Sequence, residues 1–191
     1  IGAMAGTERP PVVVHGGGPF ISEALDAAGI AHQFVRGLRV TTEEAMGVIE
    51  QVLTVLGKRL AHEIGPAVAL TGRDAGLLRA ESDDPALGLV GRMRAVDITA
   101  IGALRGAGLV PVIACVAHDG AAGVLNVNAD EVAGAVAAAL GEGVYFLTNV
   151  PGVLDDPGDP TSLLPQLTRA DIEARIADGR IAAGMIPKVE A

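Results

Sequence analysis

Three consecutive glycines follow a short apolar run near the start of the chain, in the sequence Val12-Val13-Val14-His15-Gly16-Gly17-Gly18-Pro19. The apolar run predicts a buried strand. The glycines predict a loop whose backbone can lie directly against a ligand, because no side chain intervenes. A strand, a glycine-rich loop and a helix in this order bind anions in α/β proteins, since the loop amides and the helix N-terminus point at negative charge. Residues 15–19 are therefore a candidate anion site, and a tight turn that holds nothing is the alternative.

A second polar cluster, Asn126-Val127-Asn128-Ala129-Asp130, precedes a segment rich in alanine. Alternation along an extended segment places Asn126 and Asn128 on one side. Asp130 falls in the first turn of the predicted helix, where its carboxylate can accept N–H hydrogen bonds. Three such side chains beside a helix end can position a ligand and orient cations. An ordinary helix cap with polar neighbours is the alternative.

Two basic residues are candidates for binding negative groups of a substrate. Arg39 stands just before a predicted helix start, and its planar guanidinium can bind a carboxylate through two parallel hydrogen bonds. Among 14 basic residues only Lys58 and Lys188 are lysines. A lysine retained in an arginine-rich chain suggests a need for a compact ammonium, such as one that stabilises a transferring phosphoryl group. The alternative is that genome base composition causes the excess of arginine over lysine. Lys58 belongs to a predicted helix surface, which leaves Lys188 as the candidate.

The segment Thr148-Asn149-Val150-Pro151-Gly152-Val153-Leu154 follows a predicted strand. Open α/β sheets bind ligands at the carboxyl ends of their strands, so this segment is a candidate site for an adenine and a ribose, with a plain loop as the alternative. The small residues at 181–184 could form the opposite wall. No lysine followed by serine or threonine comes after the glycines, so the loop is not of the Walker type. His32, His62, His118 and Cys115 lack the spacing of zinc ligands.

Apolar runs alternate with segments of helical period, a pattern typical of βα repeats and a parallel sheet. Predicted strands cover residues 12–14, 67–70, 109–116 (interrupted early by Pro111) and 144–147, and a hairpin on an exposed edge is predicted within 80–97. Predicted helices cover residues 22–28, 99–107, 129–140 and 167–178, and a further one starts at 41–44, with Met46, Ile49, Leu53, Leu56 and Leu60 on its buried face. The turn-rich segment 118–123 is the predicted boundary between two lobes.

Composition limits the class of protein. Half of the 191 residues are apolar and only 2% are aromatic, which predicts an aliphatic core of the kind that covers a parallel sheet. A net charge of −9 argues against nucleic acid or an anionic membrane as the main partner. Cys115 is the single cysteine, which excludes an internal disulfide and fits a reducing compartment. No apolar stretch has the length of a membrane span and no segment resembles a secretion signal, so we expect a cytoplasmic protein.

Five segments of the chain resemble, in their order and in the distances between them, segments of the N-acetylglutamate kinases of the amino acid kinase family. The resemblance covers nearly the whole chain, and the five segments are residues 15–19, 37–41, 126–130, 147–154 and 184–188. The resemblance implies an α/β fold, a three-layer αβα sandwich around a mainly parallel sheet. It implies that residues 1–119 bind N-acetyl-L-glutamate and form a homodimer or higher homo-oligomer, and that residues 120–191 bind MgATP. The implied reaction is the second step of arginine biosynthesis, in which ATP phosphorylates the side-chain carboxylate to an acyl phosphate.

The resemblance also implies roles for individual residues. Gly17 and Gly18 would offer backbone amides to the acid and the phosphates, Arg39 would bind the α-carboxylate, and Asn126 the substrate. Asp130 would organise the catalytic lysines, and Lys188 would stabilise the transferring phosphoryl group. The implied nucleotide contacts are Asn149, Val150, Pro151, Gly152, Val153, Leu154, Arg180, Ile181 and Ala182. Mg²⁺ would be held mainly by the nucleotide phosphates, with no metal ligand from the protein. A carboxylate nucleophile is already ionised at neutral pH, so no general base is needed.

Three departures from the family pattern are visible. The family begins with a strand ending in Lys-Gly-Gly, which nothing before Pro10 resembles, and it continues beyond Lys188; we therefore expect the full protein to extend past both ends. The family usually has aspartate at the position of Asn149, and asparagine near Lys58. Two alternatives stay open. One is a kinase for aminoadipate or glutamate linked to an acidic carrier protein, which a net charge of −9 disfavours. The other is a catalytically silent member that binds ligand.

Overall fold

The computed structural model describes residues 9–121, 123–148, 150–156, 158–181 and 185–190. Strands in this part of the chain are β1 (Val13–His15), β2 (Phe34–Val35), β3 (Leu38–Arg39), β4 (Ala67–Thr71), β5 (Leu78–Ser82), β6 (Val90–Val96), β7 (Val110–Ala114), β8 (Val116–His118) and β9 (Val124–Val127). Its α-helices are α1 (Gly18–Ala27), α2 (Glu43–Ile64), α3 (Thr99–Gly106), α4 (Ala129–Leu140), α5 (Arg169–Ala177) and α6 (Ile186–Glu190).

A parallel sheet of three strands, in the order β1-β7-β4, lies at the centre of the fold. Its middle strand β7 is buried at every position, as expected for an aliphatic strand covered on both faces. Val112 of β7 is opposite Val13 of β1 on one side and Ala69 of β4 on the other, and the strand runs through Pro111 without a break. Helix α2 packs on β4 and β7, α3 contacts β7, and α4 contacts β1. The predicted α/β class with a mainly parallel sheet is confirmed.

The hairpin predicted within residues 80–97 is formed by β5 and β6, but it does not lie on an exposed edge. Strand β5 also pairs with β8 and β6 with β9, so these four strands close into a small barrel. A Cβ on Gly91 would lie 2.8 Å from the Cβ of Leu125, so the glycine permits the close approach of β6 and β9. The predicted lobe boundary near residue 119 falls in the turn between β8 and β9, and the division into two lobes stays a prediction.

Helix α2 has the buried face that its sequence predicts. Met46, Ile49 and Leu53 are buried, and Leu56 and Leu60 are partly buried. Burial of each such side chain contributes about 1.5–3 kcal/mol to folding. The helix begins after Thr42, whose side-chain oxygen accepts a hydrogen bond from the Ala45 amide at 3.2 Å. Two acidic residues in the first turn favour this start, because they interact well with the positive end of the helix dipole.

The strand predicted at residues 144–147 does not form. None of the described strands pairs with residues 142–148, and Tyr145 and Leu147 are 93% and 84% exposed. The apolar composition of the run favours a strand, but a strand exists only where a neighbour accepts and donates its hydrogen bonds. Helix α5 begins at Arg169 after a capping box made by Thr168 and Asp171. No helix in the described residues is long and apolar enough to cross a membrane.

Candidate active site

The glycine loop joins the end of β1 to the start of α1. The first amides of an α-helix have no intrahelical acceptor, and Gly17, the N-cap of α1, has no side chain to accept from them. A Cβ on Gly17 would lie 3.0 Å from Cδ2 of Leu53 and 3.2 Å from Cδ2 of Leu56, so the loop lies close against α2 and a larger residue would require these leucine side chains to shift. A Cβ on Gly18 would meet nothing within 4 Å, which leaves space beside its amide. The loop therefore has the geometry of an anion site.

The side chain of His15 is buried directly behind this loop. Its Nδ1 is 3.1 Å from the carbonyl oxygen of Gly16, which can only accept, so Nδ1 carries the hydrogen. Its Nε2 is buried without a partner among the described residues, and it lies 2.9 Å from where a Cβ on Gly57 of α2 would be. Burial lowers the pKa of His15, against the opposing effect of the bond to Gly16. The imidazole is therefore neutral and fixes the direction of the Gly16 carbonyl.

Arg39, at the end of β3, turns its side chain back to the glycine loop. Its Nη2 donates to the carbonyl oxygen of Gly18 at 3.2 Å and to Oγ of Ser22 at 2.8 Å. The residue is only 7% exposed, and burial lowers the pKa of its guanidinium. The structure thus brings Arg39 and Gly18 together, as the candidate site requires.

Asn126 is tied to Arg39 through Thr41. The Asn126 amide donates from Nδ2 to Oγ1 of Thr41 at 3.1 Å, and the same hydroxyl donates to the carbonyl oxygen of Arg39 at 2.8 Å. Thr41 is completely buried. Alternation along an extended segment places Thr41 and Arg39 on one side, and this signal could have identified Thr41 from the sequence.

Asp130 and Lys188 form an ion pair at the start of α4, with Lys188 Nζ 2.6 Å from Asp130 Oδ2. The lysine also lies 6.0 Å from the centre of the Phe146 ring, a second contact that favours its cation. Asn128, rather than Asp130, caps α4: its Oδ1 accepts from the amides of Asp130 at 2.8 Å and Glu131 at 3.2 Å. The expectation that the Asp130 carboxylate accepts helix amides is therefore wrong, and that carboxylate is available to orient Lys188.

The glycine loop and the start of α4 are in contact. A Cβ on Gly16 would lie 3.3 Å from the Cβ of Ala129, the residue before Asp130. The glycine loop and the ion pair of Asp130 and Lys188 are therefore neighbours, although they come from distant parts of the sequence. Cys115 is buried near this contact, where burial, with the charge of Asp130 adding to it, raises the pKa of the thiol to about 12. The thiol is therefore protonated, and it is not a nucleophile.

Two of the predicted nucleotide-binding segments are joined through Asp155. Residues 150–154 lead into Asp155, whose Oδ1 accepts from Nη1 of Arg180 at 3.1 Å and also from Arg175. Bonding to Arg175 and Arg180 lowers the pKa of Asp155. Ile181 is buried and its amide donates to the Arg175 carbonyl at 2.9 Å. The structure thus links Asp155, which follows the predicted nucleotide segment, to Arg180 and to the helix that contacts Ile181; Asn149 and Ala182 lie outside the described residues.

This fold and site define the class of protein. The sequence model of the amino acid kinase family matches residues 1–191, and the chain belongs to that family.

Among its curated relatives, acetylglutamate kinases are prominent. That of Deinococcus radiodurans is 56% identical over 193 residues, which cover 100% of this chain and 76% of the relative. That of Thermus thermophilus is 46% identical over 192 residues, covering 98% of this chain and 76% of the relative.

Solved structures agree on the fold. The crystal structure of smu.665 from Streptococcus mutans UA159 superposes with a TM-score of 0.85 at 30% identity, covering 94% of this chain and 74% of that one. The N-acetylglutamate synthase of Neisseria gonorrhoeae, in complex with coenzyme A and N-acetyl-glutamate, gives a TM-score of 0.71 at 22% identity, covering 94% of this chain and 42% of that one. The latter likeness supports the fold alone.

Proposed function

We propose that this chain transfers the γ-phosphoryl group of ATP to the side-chain carboxylate of N-acetyl-L-glutamate, the second step of arginine biosynthesis. Relatives named acetylglutamate kinase, up to 56% identical over the full chain, support this reaction. The structural observation that carries it is the 2.6 Å pair of Lys188 and Asp130, which lies beside the glycine loop. Amides and an ammonium group around one point suit the meeting of a carboxylate and a phosphate.

The reaction needs no proton transfer. A carboxylate oxygen of the substrate forms a bond to the γ-phosphorus, and the bond from that phosphorus to the oxygen bridging to the β-phosphate breaks, which releases ADP. The barrier includes the repulsion of two anions. In the proposed mechanism the amides at Gly17 and Gly18 and the Lys188 ammonium reduce this repulsion, and the Asp130 carboxylate holds the ammonium in place. Arg39 and Asn126 bind the remainder of the acid.

Mg²⁺ fits this site as a partner of the nucleotide rather than of the protein. It keeps several waters and is commonly bound through substrate phosphates, and when bound it neutralises phosphate charge. Within the described residues no three His, Cys, Asp or Glu side chains are grouped to hold a metal ion. We propose that residues 149–154 and 180–182 contact the nucleotide, and that the division near residue 119 separates acid binding from nucleotide binding.

Two further features are proposed. Strand β4 pairs with β7 alone among the described strands, and Val55 on the neighbouring helix α2 is half exposed. A strand edge without a partner and an exposed apolar side chain each suit the contact of a homodimer, which sedimentation velocity would test: a monomer at micromolar concentration would contradict it. A cytoplasmic location is proposed from the single buried cysteine, and fractionation of the source cells would test it.

Trapping of the product with hydroxylamine tests the proposed reaction. The full-length protein with ATP, Mg²⁺ and N-acetyl-L-glutamate is expected to give a hydroxamate, read as its coloured iron complex. Lys188→Met should lower kcat at least about 100-fold, because the ammonium acts on the transition state. Lys58→Met is the matched control: Lys58 is exposed on α2, and its loss should leave kcat unchanged.

Other outcomes would favour the alternatives. Hydroxamate formed only from glutamate or aminoadipate attached to a carrier protein would replace the proposed substrate. Calorimetric binding of N-acetyl-L-glutamate without hydroxamate from any acid would indicate a silent member of the family. Equal kcat in Lys188→Met and the natural protein would remove the lysine from the mechanism.

A further inference from the structure

His32 connects the candidate substrate-binding arginine to a carboxylate. Its Nδ1 is 2.9 Å from Nη1 of Arg39, and its Nε2 is 3.2 Å from Oδ1 of Asp26. We propose that His32 is a positioning residue, which with Asp26 holds the Arg39 guanidinium in the orientation that receives the carboxylate of the acid substrate. This inference rests on the proposed function, in which Arg39 binds that carboxylate.

The two hydrogen bonds fix the tautomer of the imidazole. Arginine has five N–H donors and no acceptor, so Nδ1 of His32 must be the acceptor in its bond to Arg39. The hydrogen of the neutral ring is then on Nε2, where it donates to the Asp26 carboxylate. An imidazolium would place a donor hydrogen on Nδ1 against the guanidinium. His32 therefore has one hydrogen-bonding arrangement that satisfies both neighbours.

The chain of contacts answers an electrostatic need. Arg39 is 7% exposed, and burial of a charge in a protein interior is unfavourable unless it is paired. Burial lowers the pKa of Arg39, and the charge of Asp26 opposes that effect. Asp26 is itself 74% exposed, while the side chain of His32 is 17% exposed. His32 thus fills the space between a buried cation and a surface carboxylate and links them by hydrogen bonds.

The guanidinium is held on its other sides as well. Nη2 donates to Ser22 and to the Gly18 carbonyl, and the ring of Phe34 lies 4.5 Å from the guanidinium carbon. Three of the five N–H groups are engaged by these neighbours and His32, which leaves two for a substrate. Phe34 supports the plane of the guanidinium by a cation–π contact but accepts no directional hydrogen bond. His32 is therefore the side chain that sets the position of Nη1.

Steady-state kinetics of two substitutions tests the proposal in the full-length protein. His32→Leu removes the acceptor, and His32→Asn keeps an acceptor oxygen close to the position of Nδ1. We expect His32→Leu to raise KM for N-acetyl-L-glutamate about 5- to 30-fold, which corresponds to about 1–2 kcal/mol. The KM of His32→Asn for N-acetyl-L-glutamate should stay within about 3-fold of that of the natural protein. Both should keep kcat and the KM for ATP within about 2-fold, because Arg39 contacts the part of the substrate that does not react.

Two controls separate this inference from its premise. His62→Leu replaces an exposed histidine on α2 and should change neither constant. Arg39→Gln should raise the same KM; an unchanged KM would overturn the substrate role of Arg39, and the inference with it. If Arg39→Gln raises KM but His32→Leu does not, the inference is overturned while the proposed reaction stands. Loss of kcat without a change in KM, or equal damage by Leu and Asn, would also overturn it.

Discussion

Replacement of Thr41 by valine tests whether the two substrate-binding side chains act together. Valine keeps the shape of threonine but removes the hydroxyl that donates to the Arg39 carbonyl at 2.8 Å and accepts from Asn126 at 3.1 Å. Thr41 is completely buried, so water cannot replace either bond. At about 1 kcal/mol for each hydrogen bond, Thr41→Val should lower the free energy of unfolding by about 2 kcal/mol. For a domain of this size the melting temperature should fall by about 4–8 °C.

The same substitution should weaken substrate binding, because the Asn126 amide loses the acceptor that orients it. If the substrate feels half to all of one hydrogen bond, KM for N-acetyl-L-glutamate should rise about 2- to 5-fold. Differential scanning calorimetry and initial rates measure the two effects, and Thr41→Ser, which keeps the hydroxyl, is the matched control. Unchanged melting temperature and KM in Thr41→Val, or a serine variant as damaged as the valine variant, would refute this reasoning.

Three further predictions follow from features of the same site. Gly57→Ala should destabilise the protein by about 1–3 kcal/mol in urea unfolding, because the new Cβ would lie 2.9 Å from the buried Nε2 of His15. Gly47→Ala on the same helix is the control: its Cβ would meet nothing within 4 Å, so it should stabilise the protein by about 0.5–1 kcal/mol. Equal effects of the two substitutions would contradict the packing argument. Burial lowers the native pKa of His15, so its contribution to stability is fully present above about pH 6.5 and is lost as the pH falls through the native pKa. The stability difference between the natural protein and His15→Leu should therefore shrink between about pH 7.5 and 5.5 in urea unfolding, and a constant difference would reject the buried neutral ring. Chelation by EDTA should abolish turnover reversibly while leaving the melting temperature of the nucleotide-free protein unchanged, since the described residues contain no group of metal ligands; a lower melting temperature would indicate a structural metal.

Local signals in the sequence were sufficient for α2 and α4, whereas α1 begins at Gly18, before the predicted start at residue 22. Helix α4 covers the predicted residues 129–140, because an Asn cap precedes it and Gly141, with φ of +67°, ends it. The face of α2 followed from the spacing of its apolar residues. The run at 144–147 has equally good strand composition, yet no described strand pairs with it. Strand formation depends on a partner that composition does not specify.

The candidate site also contains residues that the sequence identifies and residues that it does not. Motifs with a fixed spacing along the chain were sufficient to name six of its residues: Gly17, Gly18, Arg39, Asn126, Asp130 and Lys188. His32 could not be named in this way, since its value depends on two bonds formed when β3 folds back onto α1. The pairing of Asp130 with a lysine was implied by the family resemblance, but the capping of α4 by Asn128 escaped prediction, because Asn and Asp are both good N-cap residues and only the tertiary contact with Lys188 distinguishes them.

The contacts that close the site span long stretches of sequence. Thr41 and Asn126 are 85 residues apart, and Asp130 and Lys188 are 58 apart. Contacts of such separation form late in folding, because a long segment of chain must lose its freedom before they can stabilise it. During synthesis, the glycine loop and α2 leave the ribosome well before the residues that complete the pocket. A nascent chain therefore has an unfinished binding surface until Lys188 has emerged, and substrate can stabilise only the chain that has folded as a whole.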